Sequence, residues 1–205
     1  QRGYNPEFKN STYFHVYNNL INNERLLRCA KAYGYKIKFL LHPILSSQLE
    51  DFTKNDELEV VVSNYGCTLV KVLMKDQAGN VDDVVLGYDD FKSYQTLDAY
   101  IGALVGRVAN RIKKGTFELN GQTYHLPINN GPNSLHGGIK GFSYQVFDYQ
   151  VLDETSVEFH YVSKDGEEGY PGELDFKAIY SLEGDTLTMH YHATTSKDTL
   201  INITN

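Results

Sequence analysis

At 205 residues the chain is long enough for one large or two small domains, and 41% hydrophobic with 22% charged residues is ordinary for a folded protein. A net charge of −7 argues against a general nucleic-acid binder, because attraction to phosphates needs a basic face. The two cysteines, Cys29 and Cys67, are far apart and in no CxxC pair; this excludes a disulfide scaffold or zinc knuckle and points to a reducing compartment or indifferent thiols.

The opening "QRGYNPEFKNSTYF" has no continuous apolar core and so does not read as a secretory signal. It starts on glutamine, which suggests numbering from inside a longer product or after processing. No apolar run approaches membrane-spanning length. Over 10–33 the apolar positions Tyr13, Phe14, Tyr17, Leu20, Ile21, Leu27 and Ala30 fall near helical spacing, which predicts a helix capped by Asn10 or Ser11 and stopped by Gly34. "YKIKFLLHP" then reads as a short strand ended by Pro43, and "ILSSQLEDFTKN" as a second short helix. Helix, strand, helix is a piece of an α/β layer that cannot close a core alone.

From about Leu58 the texture changes. "LEVVVSNYG", "TLVKVLMKD", "VDDVVLGY", "GTFELNGQTYHL", "YQVFDYQVL", "SVEFHYVSKD", "ELDFKAIYSL" and "DTLTMHYHATT" are successive strand candidates, rich in β-branched and aromatic residues and bounded by turn formers. Asn120-Gly121 and Asp165-Gly166 are pairs that suit tight turns. The pattern predicts a mainly β fold, an antiparallel sandwich or barrel. "DTLINITN" closes the chain in strand-forming residues with nothing to turn or cap them, so it reads as the middle of a buried strand, cut at Asn205.

The densest run of informative residues is Gly106–Phe142. Arg107 and Arg111 stand four apart with Asn110 between them; forked guanidinium donors and an amide suit several adjacent hydroxyls. His136 lies between Leu135 and Gly137-Gly138, where glycines permit close backbone approach to a ligand and a loop imidazole can donate to a sugar oxygen or relay a proton. Spacing alone favours the plainer reading, in which Asn, Gly and Pro build turns and His136 is a structural hydrogen-bonder. Asp165, Glu167 and Glu168 beside Tyr170 could supply an acid and a base, but Asp-Gly and Pro-Gly make a solvated hairpin loop the better expectation. His190 and His192 share one strand face but lack a third metal ligand. His42-Pro43 reads as a strand stop.

Taken in order, "LEVVVSNYG", "DDVVLGYDDFKSY", "GALVGRVANRI", "GTFELNGQTYHL", "NNGPNSLHGG", "SKDGEEGYPGEL" and "TLINITN" resemble the galactose mutarotase (aldose 1-epimerase) family over about residues 52–205. The resemblance implies a galactose mutarotase-like β-sandwich (a supersandwich), here incomplete, in a cytoplasmic enzyme of carbohydrate metabolism. It implies a small-molecule hexose as substrate, no cofactor, no metal, no nucleic acid and no membrane. The implied chemistry is acid/base ring opening that interconverts α and β anomers. By motif match Asn110 and Arg111 would hold sugar hydroxyls, His136 would serve the ring-oxygen side as a catalytic and substrate-binding residue, and Arg107 has a more structural look. The family's acid histidine directly follows the "TN" that Thr204-Asn205 match, and its base glutamate lies farther on, so this chain alone is expected to hold sugar without turning it over. Residues 1–51 instead resemble an α/β piece of the glycerophosphotransferases that use CDP-glycerol, so a division into 1–51 and 52–205 is expected.

Overall fold

The computed structural model describes residues 14–16, 38–40, 48–50, 58–96 and 99–205. Three short strands come first, β1 (Phe14–Val16), β2 (Lys38–Leu40) and β3 (Gln48–Glu50). They join β4 (Leu58–Ser63), β5 (Thr68–Lys75) and β6 (Val81–Asp83) in one six-stranded sheet of order β1-β3-β2-β4-β5-β6. The helices expected over 10–33 and after Pro43 are therefore strands at Phe14–Val16 and at Gln48–Glu50. Phe14 and Val16 are aromatic and β-branched, and β1 and β3 satisfy each other's backbone in an antiparallel pair, which outweighs helical spacing. The remainder of both predicted helices, together with Cys29 and His42-Pro43, lies outside the described residues. The strand predicted in "YKIKFLLHP" is present at Lys38–Leu40, where β2 runs parallel to β4.

The turn chemistry read in the sequence is matched by antiparallel pairs of consecutive strands. β8 (Thr116–Leu119) and β9 (Gln122–His125) are joined by Asn120 and Gly121, both at positive φ (53° and 77°), as a two-residue hairpin turn requires. β12 (Ser156–Ser163), β13 (Leu174–Glu183) and β14 (Thr186–Thr195) continue from β11 (Asp148–Val151) as an antiparallel four-stranded sheet in sequence order. Flanking the β8–β9 hairpin in the chain, β7 (Arg111–Ile112) and β10 (Ser134–Leu135) form a ladder of two residues each.

Alternation along β13 decides where the core lies. Leu174, Phe176, Ala178, Tyr180 and Leu182 are buried while their neighbours are not, and they pack with Val157, Phe159, Phe142 and Phe147 against Leu58, Val60 and Val62 of β4. β4 is buried on both faces. Val61 on its other side meets Val70, Phe91 and Tyr94, the last two from the helix α1 (Phe91–Thr96), whose start is held by the Asp90 carboxylate accepting from the Ser93 amide and hydroxyl. This explains why "LEVVV" is a continuous apolar run rather than an alternating one. Among the described residues no helix is long and apolar enough to cross a membrane.

Candidate functional site

The stretch Gly106–Arg111 is suspended between two neighbours. On one side runs the end of the chain. Val105 and Thr204 exchange backbone hydrogen bonds (2.7 and 3.3 Å), the Ala109 amide donates to the Asn202 carbonyl, and the Asn202 amide donates to the Arg107 carbonyl. "DTLINITN" thus pairs with the segment that leads into the site, but Ile201 is 44% exposed and Asn205 is also exposed, so it is not the buried strand expected. The Asn205 amide oxygen accepts from the Tyr180 and Tyr191 hydroxyls (3.1 and 2.5 Å), which ties this end to the four-stranded sheet. On the other side lies Gly137. A Cβ there would collide with the Gly106 carbonyl, and one on Gly138 would collide with the Glu168 carboxylate. The glycines after His136 therefore serve close packing of protein on protein, not the approach of a ligand.

Within this frame the β7–β10 pair sets Leu135 opposite Arg111, so the residues that follow and precede them, His136 and Asn110, come together. The His136 amide donates to the Asn110 carbonyl (3.0 Å), and the Asn110 amide donates to His136 Nδ1 (3.1 Å). An N–H aimed at Nδ1 requires that nitrogen to be bare, so the neutral ring carries its proton on Nε2. Among the described residues Nε2 has no hydrogen-bond partner, which leaves an N–H donor for a ligand. Partial burial, and then the nearby Arg111 cation, hold the His136 pKa below its usual value of 6.5 and keep the ring neutral at pH 7. Arg111 is exposed; its Nε donates to Asn130 Oδ1 (2.9 Å) and its Nη1 to Asn110 Oδ1 (3.3 Å). That fixes the guanidinium plane and leaves further donors outward. The structure brings all three expected site residues, Asn110, Arg111 and His136, onto one open edge.

Arg107 is different. It is 2% exposed, and its Nε donates to Ser163 Oγ (2.9 Å), its Nη1 to the Pro171 carbonyl (3.1 Å) and its Nη2 to the Ser163 and Lys164 carbonyls (2.8 and 2.9 Å). Its cation also sits 5.9 Å from the centre of the Tyr170 ring, whose own pKa burial raises to about 12. The guanidinium clamps the β12–β13 loop and is not open to a ligand, in line with its structural look in the sequence.

That loop is a hairpin connection, as expected, but its acids are not simply solvated. Glu167 accepts from the Tyr161 and Ser163 hydroxyls (2.9 and 2.7 Å), and Glu168 accepts from the Ile139 and Lys140 amides (2.7 and 3.0 Å). Asp165 pairs with Lys197 (2.6 Å) and accepts from the Gly172 amide. These carboxylates are spent on holding loops, Glu168 on the one that follows His136. His190 and His192 do share the exposed face of β14, opposite Ile179 and Lys177. Among the described residues no three His, Cys, Asp or Glu side chains gather as metal ligands.

Two contributors were not singled out in the sequence: Tyr100 places its ring 4.7 Å from that of His136, and Asn130 orients Arg111. Glu168, weighed in the sequence as an acid or base, instead anchors the loop behind His136. Asn130 carried a turn signal that concealed its contact with Arg111 across 19 residues of sequence, and nothing near Tyr100 announces its contact with His136.

Comparison with known proteins gives consistent matches. The family described as Aldose 1-epimerase matches residues 51–205. A galactose mutarotase of Bos taurus is 49% identical over 164 residues, which are 80% of this chain and 48% of that protein. An aldose 1-epimerase of Haemophilus influenzae is 37% identical over 161 residues, 77% of this chain and 46% of that protein. Among solved structures, a GalM/aldose epimerase homologue from C. elegans has a TM-score of 0.71 at 32% identity, covering 75% of this chain and 47% of that one. A galactose 1-epimerase from Lactobacillus acidophilus has a TM-score of 0.68 at 27% identity, covering 93% of this chain and 50% of that one. The chain spans about half the length of the relatives it matches.

Proposed function

Because the chain belongs to the aldose 1-epimerase family, we propose that it comes from an enzyme that interconverts the α and β anomers of a hexose such as galactose or glucose, and that its 205 residues hold the sugar. The observation that carries this reading is the open edge formed by Asn110, Arg111 and His136. It offers a fixed guanidinium fork, an amide and a neutral imidazole with its proton on the free nitrogen. Adjacent sugar hydroxyls are matched by the fork and the amide, and Nε2–H of His136 suits the ring oxygen, where charge develops as the ring opens.

Ring opening also needs a base for the anomeric proton and an acid for the ring oxygen. The resemblance puts that acid, a histidine, directly after Thr204-Asn205, and the base, a glutamate, farther on. The carboxylates of the β12–β13 loop do not substitute for them, since Glu167 and Glu168 are committed to hydroxyls and amides of the protein. The 205-residue chain by itself therefore acts as a sugar-binding half-site. Polarimetry of freshly dissolved α-galactose is expected to show no acceleration by it, whereas galactose binding read by saturation-transfer NMR is expected and is lost in Arg111→Ala. Catalysis by the 205 residues overturns the placement of acid and base; binding untouched by Arg111→Ala overturns the half-site.

We also propose a division of the chain near residue 51 in origin, which the start of the family match at that residue supports; the sheet that joins β1–β3 to β4–β6, and the bovine match over 164 residues, favour continuity instead. A transferase origin for residues 1–51 would require CDP-glycerol binding that survives deletion of residues 59–205. The likeness to galactose mutarotases supports a cytoplasmic setting.

A further inference from the structure

Tyr100, Asn110 and His136 share an unusual backbone. All three have positive φ (55°, 65° and 52°), a region that costs energy for any residue with a side chain. Asn110 has a local reason, because a short amide side chain tolerates this conformation. A tyrosine has none, and sterically costly conformations persist where the surrounding structure holds them for a purpose. At Tyr100 the conformation delivers a ring to His136, with centroids 4.7 Å apart and planes 57° from each other. Tyr144 meets the Tyr100 ring edge-on at 5.8 Å and so backs it. The Tyr100 hydroxyl has no hydrogen-bond partner among the described residues, so the ring is what this residue brings.

His136 needs such a support. Its imidazole is held by one hydrogen bond, from the Asn110 amide to Nδ1, and one bond leaves the ring free to swing about its side-chain torsions. We propose that Tyr100 is a positioning residue for His136, whose ring closes one face of the imidazole and keeps Nδ1 on the Asn110 amide with the Nε2 proton presented outward. The functional weight of this placement rests on the reading of His136 as a sugar contact; the placement itself does not. The same cover contributes to the burial that lowers the His136 pKa, alongside the Arg111 cation.

The test is 15N-histidine NMR of the full 205-residue chain, reading the tautomer and titration of His136 with and without galactose. In Tyr100→Leu the expected result is a mixed tautomer, a titration moved upward towards the ordinary imidazole range, and galactose affinity weaker by about threefold to tenfold. Tyr100→Phe keeps the ring and is expected to match the unaltered protein in all three; it also keeps the test decidable if the leucine variant fails to fold. An unchanged tautomer and titration in Tyr100→Leu, or a disturbed tautomer in Tyr100→Phe, overturns the proposal. If Tyr100→Leu disturbs the imidazole while His136→Ala binds galactose undiminished, the positioning role stands and the sugar reading of His136 fails.

Discussion

Arg107 and Arg111 stand four residues apart in one stretch, "GRVANR", and do opposite things. Arg107 is sealed in the protein, with every arm of its guanidinium donating to a hydroxyl or a carbonyl of the β12–β13 loop. Arg111 lies exposed, tethered by two amide oxygens and otherwise open. The difference teaches that a forked cation becomes a fastener when loops close over it and keeps donors facing solvent when they stop short. The same contrast separates Glu167 and Glu168, consumed by the protein, from His136, which keeps one nitrogen unpaired among the described residues.

The contrast is broken most severely at its buried end. Arg107→Met would leave the Ser163, Lys164 and Pro171 carbonyls without donors and Glu167 without a nearby cation. A loss of about 3 kcal/mol or more is expected, read as a lower urea midpoint. Arg107→Lys, with a single ammonium that cannot span four acceptors, is expected to fall in between. At the open end, Arg111→Ala is expected to change stability by no more than about 0.5 kcal/mol, as for an exposed substitution, and His136→Ala, which takes a half-buried acceptor from the Asn110 amide, by about 1 kcal/mol. Each is expected to weaken galactose binding by about tenfold or more, since a hydrogen bond to a charged or well-placed donor is lost. A large stability loss in Arg111→Ala would erase the distinction between the two arginines.

Glu168→Ala sharpens the comparison from the side of the loops. It removes two charge-assisted bonds from the Ile139 and Lys140 amides, worth about 2 kcal/mol of local stability. The expected signature is faster hydrogen exchange confined to residues near 138–140, with a modest loss of galactose affinity. The smallest effect is one of pH. Burial and the Arg111 cation place the folded His136 pKa below the 6.5 of an ordinary histidine. Above pH 6.5 the imidazole is neutral in both states and this contribution is fully present. As pH falls through 6.5 the unfolded chain takes up its proton first, and stability declines until His136 protonates in the fold as well. His136→Gln is expected to flatten the stability curve in that window and to leave it unchanged above neutrality, measured by urea unfolding across pH.

Much of the β architecture was legible in the residues. Asn120-Gly121 marked the β8–β9 turn, and the alternation of "LDFKAIYSL" marked the buried face of β13, because a two-residue period is local information. At the N-terminal end β2 was legible, but its two companions were not. Phe14–Val16 and Gln48–Glu50 are strands because they pair with each other, and the helical spacing around them carries no trace of that partner. The candidate site was legible in part. Asn110, Arg111 and His136 stood out by residue type, yet the flanking glycines suggested a ligand where the structure packs its own backbone.

The sequence by itself determined the family and the mainly β fold, since these rest on local pattern and ordered motifs. Tertiary structure alone decided which of two arginines is buried, which nitrogen of His136 bears the proton, and that Tyr100 lies against it. Each of those depends on atoms brought together from 26 to 64 residues apart. Desolvation and hydrogen-bond partnership at such distances are properties of the folded assembly, and no local stretch of residues contains them.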